Sequence, residues 1–245
     1  LKKFNYAETK LSNYLSRLDY RYDSYLSSEC KNISNNLECY KSSRHNVALY
    51  LTGDSHAAHF LPAVDGIKKI DAYFYNGLAS CEIILDHLFE VGINTNNCLK
   101  NEAKKNFIHK FNSSIYEKKL LIISLRLSEY LKSNWKIINN FDDKDKTVFL
   151  KEKYSNFLNK FNAHKVILVT TIPESKIHTE KCIFNEFLTS KINEKIYSQC
   201  HFEKKLDFER NKLVRKFLTS ISLTKPNIFI YDPYEKLCPN NICHN

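Results

Sequence analysis

The 245 residues, 43% of them hydrophobic, fit one large α/β domain, or one domain with a lead-in segment, around a sizeable core. No apolar run approaches the length of a membrane span, and no signal peptide opens the chain. The 37 basic and 27 acidic side chains leave a net charge of +10, which suits an acidic partner. The lysines, however, are spread through almost every segment with no dense basic block, which argues for solubility and general surface attraction and against nucleic acid.

Methionine is absent and the chain begins at Leu1, so the expectation is a fragment of a longer protein whose membrane part lies upstream. Residues 1 to about 29 carry Phe4, Leu11, Leu15 and Leu18 at near-helical spacing, an amphipathic lead-in that with the polar Cys30–Cys39 loop occupies residues 1–44. From Val47, the run Val-Ala-Leu-Tyr-Leu-Thr reads as a buried strand, ended by Gly53 with the backbone freedom a sharp turn needs. Asp54 and Ser55 then stand in front of a helix-compatible run from His56 to Ile67. Asp and Ser are ordinary helix caps, so the tripeptide by itself decides nothing. A serine where unpaired N–H groups favour negative charge is nevertheless where an acyl-transfer enzyme places its nucleophile.

Ile70 to Tyr75 reads as a second strand, ending in Asn76-Gly77, and the stretch from Cys81 to Cys98 as a stapled excursion. A helix from about Asn101 to Glu117 leads to a strongly apolar third strand, Leu120 to Leu125, which runs into Arg126-Leu127-Ser128. After a polar connection from Trp135 to Asp145, Leu150, Tyr154, Phe157 and Phe161 mark a helix near Thr147 to Asn162, its aromatics read as core. Lys165 to Thr171 is a fourth strand, and Cys182 and Cys200 bound a second excursion. A long amphipathic helix is expected near Glu203 to Ser222, and Asn227 to Tyr231 is a fifth strand. Strands alternating with helices predict a three-layer α/β/α sandwich with a central five-stranded parallel sheet.

The eight cysteines form no Cys-x-x-Cys pair, which argues against a zinc ribbon. An even number within polar connections reads as disulfide staples in an oxidising compartment. Nearest-neighbour pairing, Cys30–Cys39, Cys81–Cys98, Cys182–Cys200 and Cys238–Cys243, is the simplest of the many connectivities that spacing leaves open. No metal and no cofactor are called for.

Gly53-Asp54-Ser55-His56-Ala57 directly after a strand resembles the first block of the SGNH (GDSL-type) hydrolases. The His-Ala that follows the serine is typical of one branch, the extracytoplasmic SGNH domains fused to acyltransferase-3 membrane proteins, which O-acetylate lipopolysaccharide, peptidoglycan or related envelope glycans in bacteria. The resemblance runs in pieces from about Cys30 to Cys243 and implies an SGNH, flavodoxin-like domain over residues 45–245. It implies Ser55 as nucleophile and Gly77 as an oxyanion donor, with Asp54 and Arg126 as oxyanion or substrate residues. It also implies a periplasmic location, anchored through the missing upstream part, an envelope-glycan acceptor, and an acyl donor delivered by a fused or partner membrane domain. The chain departs from the general family after its third strand, where Arg126 stands and no oxyanion asparagine does. No Asp-x-x-His follows the fifth strand, although Leu237-Cys238-Pro239 and Cys243 match its lead in the fused branch. The catalytic dyad is therefore expected just beyond Asn245, with His244 as a substitute base. The alternatives are a periplasmic O-acetyl esterase and a non-catalytic glycan-binding module.

Overall fold

The structure is a computed structural model that describes residues 38–41, 46–65, 67, 69–76, 101–128, 143–173 and 201–244. Its elements, in chain order, are β1 (Glu38–Lys41), β2 (Val47–Gly53), α1 (Ser55–Ala58), α2 (Leu61–Asp65), β3 (Asp71–Asn76), α3 (Asn101–Ser113), β4 (Lys118–Ser124) and α4 (Asp143–Leu158). They continue with β5 (Lys165–Val169), β6 (His201–Glu203), α5 (Lys204–Arg210), α6 (Lys212–Ser222), β7 (Ile228–Tyr231), α7 (Tyr234–Leu237), a 3-10 turn at Pro239–Asn241 and β8 (Ile242–His244). The chain divides into two units, the larger within Leu26–Thr171 and Asn211–Asp232, the smaller within Leu1–Tyr25, Ile172–Arg210 and Pro233–Asn245.

The larger unit is built on a six-stranded sheet in the order β1-β3-β2-β4-β5-β7. Strands β3, β2, β4, β5 and β7 run parallel, and β1 pairs antiparallel with β3 at one edge. The steps from β3 to β4, β4 to β5 and β5 to β7 go one way along the sheet, so right-handed crossovers put α3, α4 and α6 on one face. There Ala48, Tyr50, Leu121, Ile123, Val166, Leu168 and Ile228 share one apolar cluster with Phe107 and Phe111 of α3, Phe157 of α4, and Phe217 and Ile221 of α6. The step from β2 to β3 goes the other way, and α1 accordingly lies on the opposite face, where Ala57 is packed against Gly53. This is the α/β sandwich that the alternation of strand and helix predicts, and its strand order is the flavodoxin-like one.

Three differences from the sequence reading have physical causes. Residues 38–41, inside the segment read as a lead-in, form β1. Glu-Cys-Tyr-Lys carries no strand signal of its own and acquires its conformation by pairing with the edge of β3. The run from His56 to Ile67 is two short helices rather than one, because Pro62 has no N–H to donate to the carbonyl of Ala58, four residues before it. The helix expected over Glu203 to Ser222 is likewise two, α5 and α6, separated at Asn211, whose backbone (φ −99°, ψ 9°) has left the helical region.

The smaller unit pairs β6 antiparallel with β8. Tyr234, Cys238 and Cys243 form its core with Phe202 and Phe208 packed against them. The Tyr234 hydroxyl donates to the Asp207 carboxylate. A disulfide joins Cys238 to Cys243, as nearest-neighbour pairing expects. The turn it closes passes through Asn240 (φ 54°) and Asn241 (φ 64°), and asparagine is among the residue types that tolerate this left-handed region best. Cys30, Cys81, Cys98, Cys182 and Cys200 lie outside the described residues, and with them the other three expected pairings.

Candidate active site

Parallel strands in register end together. Gly53 stands opposite Asn76 on one side and Ser124 on the other, Ser124 opposite Val169, and Val169 opposite Tyr231. The residues that leave the sheet at this edge are therefore Asp54, Leu125, Thr170 and Asp232. The chain first moves outward from β2 to β3 and later returns to β4 on the other side of β2, so the topological switch point lies between β2 and β4. Open α/β sheets gather ligands at the carboxyl ends of the strands flanking such a point.

Gly53 is required there. A Cβ at this position would lie 1.7 Å from the Ser124 carbonyl oxygen and 2.8 Å from the Ala57 Cβ, and its φ of 158° is one that side-chain-bearing residues rarely adopt. Absence of a side chain lets β2 approach both β4 and α1. Asp54 follows as the N-cap of α1 and is only 7% exposed. Its Oδ1 accepts the N–H of His56 at 2.8 Å, and its Oδ2 accepts the N–H of Arg126 at 2.8 Å. One carboxylate thus ties the turn after β2 to the tip of β4. Ser55 is the first residue of α1, immediately after this anchor.

Beyond β4 the chain makes a tight turn in which the N–H of Leu127 donates to the carbonyl of Leu125 at 2.8 Å. Leu125 and Leu127 are both buried in the main cluster, which leaves Arg126 exposed at the apex. His56 is buried and His59 exposed, their rings 6.1 Å apart between centroids. At the far side of the edge, Asp232 accepts from Arg215 Nε at 2.9 Å and from the Thr170 hydroxyl at 3.1 Å. Below the switch point Tyr154 of α4 is fully buried. Burial first, and the negative charge of Asp54 second, push its phenol well above the usual range.

Of the residues singled out from the sequence, the structure brings Asp54, Ser55 and Arg126 together at the switch point. Gly77 lies outside the described residues, one position past Asn76. His244 belongs to β8 of the smaller unit, paired with His201. Sequence reasoning missed Tyr154, Thr170 and Arg215 as neighbours of this edge. Each sits in an ordinary helical or strand pattern, and only the packing of α4 and α6 on the sheet and the register of its strands carry them there. Among the described residues no group of three His, Cys, Asp or Glu side chains is placed to hold a metal ion.

The family model for the SGNH domain fused to AT3 domains matches residues 24–245. The chain belongs to the SGNH family. No curated protein matches it. SGNH proteins form a serine hydrolase and acyltransferase superfamily, and the matching family model is described as fused to AT3 domains, which suggests an acyltransferase-associated SGNH module. Among the described residues no helix is long and apolar enough to cross a membrane. In this SGNH domain the serine of the first block stands at the switch point. The tip of β4, where the general family carries an asparagine, is an arginine whose backbone is held by Asp54.

Proposed function

We propose that this chain is the extracytoplasmic SGNH domain of an O-acyltransferase, in which Ser55 takes up an acyl group, acetyl being the simplest, and passes it to a hydroxyl of a cell-envelope glycan such as lipopolysaccharide O-antigen or peptidoglycan. The observation that carries this reading is the placement of Ser55 at the switch point of the sheet, directly after the Asp54 anchor, in a family fused to acyltransferase domains.

The chemistry is a double displacement. The Ser55 oxygen attacks the acyl carbonyl while a general base removes its proton, and the tetrahedral oxyanion receives hydrogen bonds from the N–H groups of Ser55 and Gly77. The donor's leaving group takes the proton and departs, leaving a serine ester. A sugar hydroxyl, deprotonated by the same base, then attacks that ester, and the proton returns to Ser55. The base is a histidine oriented by a carboxylate, the pairing that activation of a serine hydroxyl calls for. The donor reaches Ser55 from the membrane acyltransferase domain on the periplasmic side.

The test is turnover of para-nitrophenyl acetate, and transfer of its acetyl group to oligosaccharide fragments of envelope glycan followed by mass spectrometry, by a chain extended beyond Asn245 and by its Ser55→Ala form. Ser55→Ala is expected to lower both by at least about 10³-fold, the scale at which removal of a nucleophile leaves only binding and oxyanion effects. A folded, disulfide-bonded extended chain no faster than Ser55→Ala in either assay overturns the reading. Release of acetate with no glycan product assigns the domain to ester hydrolysis instead.

A further inference from the structure

We infer that Asp54 is a positioning residue whose carboxylate holds the Ser55 turn against the tip of β4 and takes no part in binding the oxyanion or the substrate. The inference rests on Ser55 being the nucleophile.

The geometry separates Asp54 from an ordinary helix cap. A cap needs one acceptor, which Oδ1 supplies to the His56 N–H, two residues on. Oδ2 reaches 72 residues along the chain to the N–H of Arg126, a bond that capping does not require. Two N–H groups converging on one side chain call for an acceptor on each branch, and among the common capping residues only an aspartate supplies both. Serine and threonine have a single oxygen. Asparagine would turn an NH2 group toward one of the two N–H donors and break that bond. Both contacts are charge-assisted, 2.8 Å long and nearly shielded from water, the conditions in which such bonds are strongest.

Two consequences bear on the chemistry. A carboxylate repels a developing oxyanion, so Asp54, expected from the sequence among the oxyanion or substrate residues, stabilises the geometry rather than the charge. The Arg126 N–H is already consumed, so the tip of β4 offers an oxyanion no backbone donor at that residue. Of the proposed donors, the N–H of Ser55 belongs to the turn after β2, and its aim depends on how firmly that turn is seated. Gly53 and the clamp act together: the bare Cα lets the strands close, and the carboxylate locks them closed.

The experiment compares Asp54→Asn and Asp54→Ala with the wild type in the extended chain, reading residue-resolved amide exchange and para-nitrophenyl acetate kinetics on the same samples. In folded Asp54→Asn, exchange at Arg126 or at His56 is expected to accelerate by about tenfold or more, the scale of one lost hydrogen bond to a charged group, while Leu121 and Ile123 in mid-strand stay protected. Asp54→Ala is expected to release both amides. The kcat of Asp54→Asn is expected to fall by about 10²-fold with KM within about twofold, the mark of a nucleophile held slightly out of place. Unchanged exchange at both amides in the folded variants overturns the clamp, and faster exchange with unchanged kcat overturns its role in positioning. A rise in KM at constant kcat also overturns it, since that assigns Asp54 to substrate binding. A wild type with no Ser55-dependent turnover removes the proposed chemistry and the positioning role with it, and exchange then decides the clamp alone.

Discussion

Gly53 tolerates no side chain, and the reason is steric before it is conformational. An alanine methyl would fall within bonding distance of the Ser124 carbonyl, so β2 and β4 would have to part at the point where Asp54 bridges them. Gly53→Ala is expected to cost about 3 kcal/mol or more, at the upper end for overpacking because backbone rather than a flexible side chain must yield. Urea unfolding checks it, and a loss below about 1 kcal/mol would show that the strands have room to spare. At this scale much of the site was legible: a strand, a glycine and Asp-Ser in a row single out Ser55 without any structure. The part played by Arg126 was not, because its contact with Asp54 is made by the backbone, and a backbone N–H leaves no mark in a side-chain pattern. The helical spacing of Tyr154 predicts a core aromatic, and it is one. Its proximity to Asp54 comes from the packing of α4, which no local periodicity encodes.

Helix α3 and strand β4 are fastened together by a buried lysine. Lys119 is 5% exposed, and its Nζ donates to the carbonyls of Phe111 at 3.0 Å and Asn112 at 3.3 Å, and to Asn162 Oδ1 at 2.8 Å. The carbonyls belong to the last turn of α3, which has no further helical N–H to satisfy them and carries the negative end of the helix dipole. Burial lowers the lysine pKa, a cost that the three acceptors and the face of the Phe111 ring offset. Lys119→Met, close in length and apolar, is expected to destabilise the protein by roughly 2 kcal/mol, because it removes three hydrogen bonds at once, although the Phe111 carbonyl keeps the Ser114 hydroxyl as a donor at 2.7 Å. A thermal melt equal to or above wild type would show instead that desolvation of the ammonium outweighs its bonds. The helices and strands themselves were largely legible, with boundaries shifted by a few residues. The two broken helices share one lesson, that apolar periodicity runs through Pro62 and Asn211 while the hydrogen-bond ladder does not.

Across the larger unit, tyrosines are buried in numbers that make the protein sensitive to base. Burial raises the phenols of Tyr50, Tyr73, Tyr75, Tyr116 and Tyr154, Tyr50 to about 12. Tyr116 donates to Asp71 Oδ2 at 2.6 Å, so the 2.5 Å bond to Tyr73 must run from the Tyr73 hydroxyl to the Tyr116 oxygen, a chain that requires both phenols to stay protonated. In the unfolded chain each ionises near its ordinary value of 10.0, while the folded state holds its protons to higher pH. Above that value the unfolded state therefore binds fewer protons, and stability, fully present below it, falls as pH rises toward the folded values. The slope is about 1.4 kcal/mol per pH unit for each group. Cooperative unfolding is expected between about pH 10 and 12, with the buried tyrosines ionising in the same step. Absorbance at 295 nm and far-UV circular dichroism, followed together, check this. Gradual ionisation of all the tyrosines with the fold intact would contradict it.

By itself the sequence determined the class of the molecule, its five parallel strands, the family to which it belongs and the position of Ser55. All of these follow from local signals: apolar runs of strand length, helical spacing between them, and a five-residue block at a strand end. The tertiary structure alone decided the strand order, the recruitment of residues 38–41 as a sixth strand, and the two-sided grip of Asp54 on residues 56 and 126. The physical reason is one of range. Periodicity and capping are properties of neighbours along the chain, whereas pairing, burial and the direction of a backbone N–H are settled between segments that meet only once the sheet has formed.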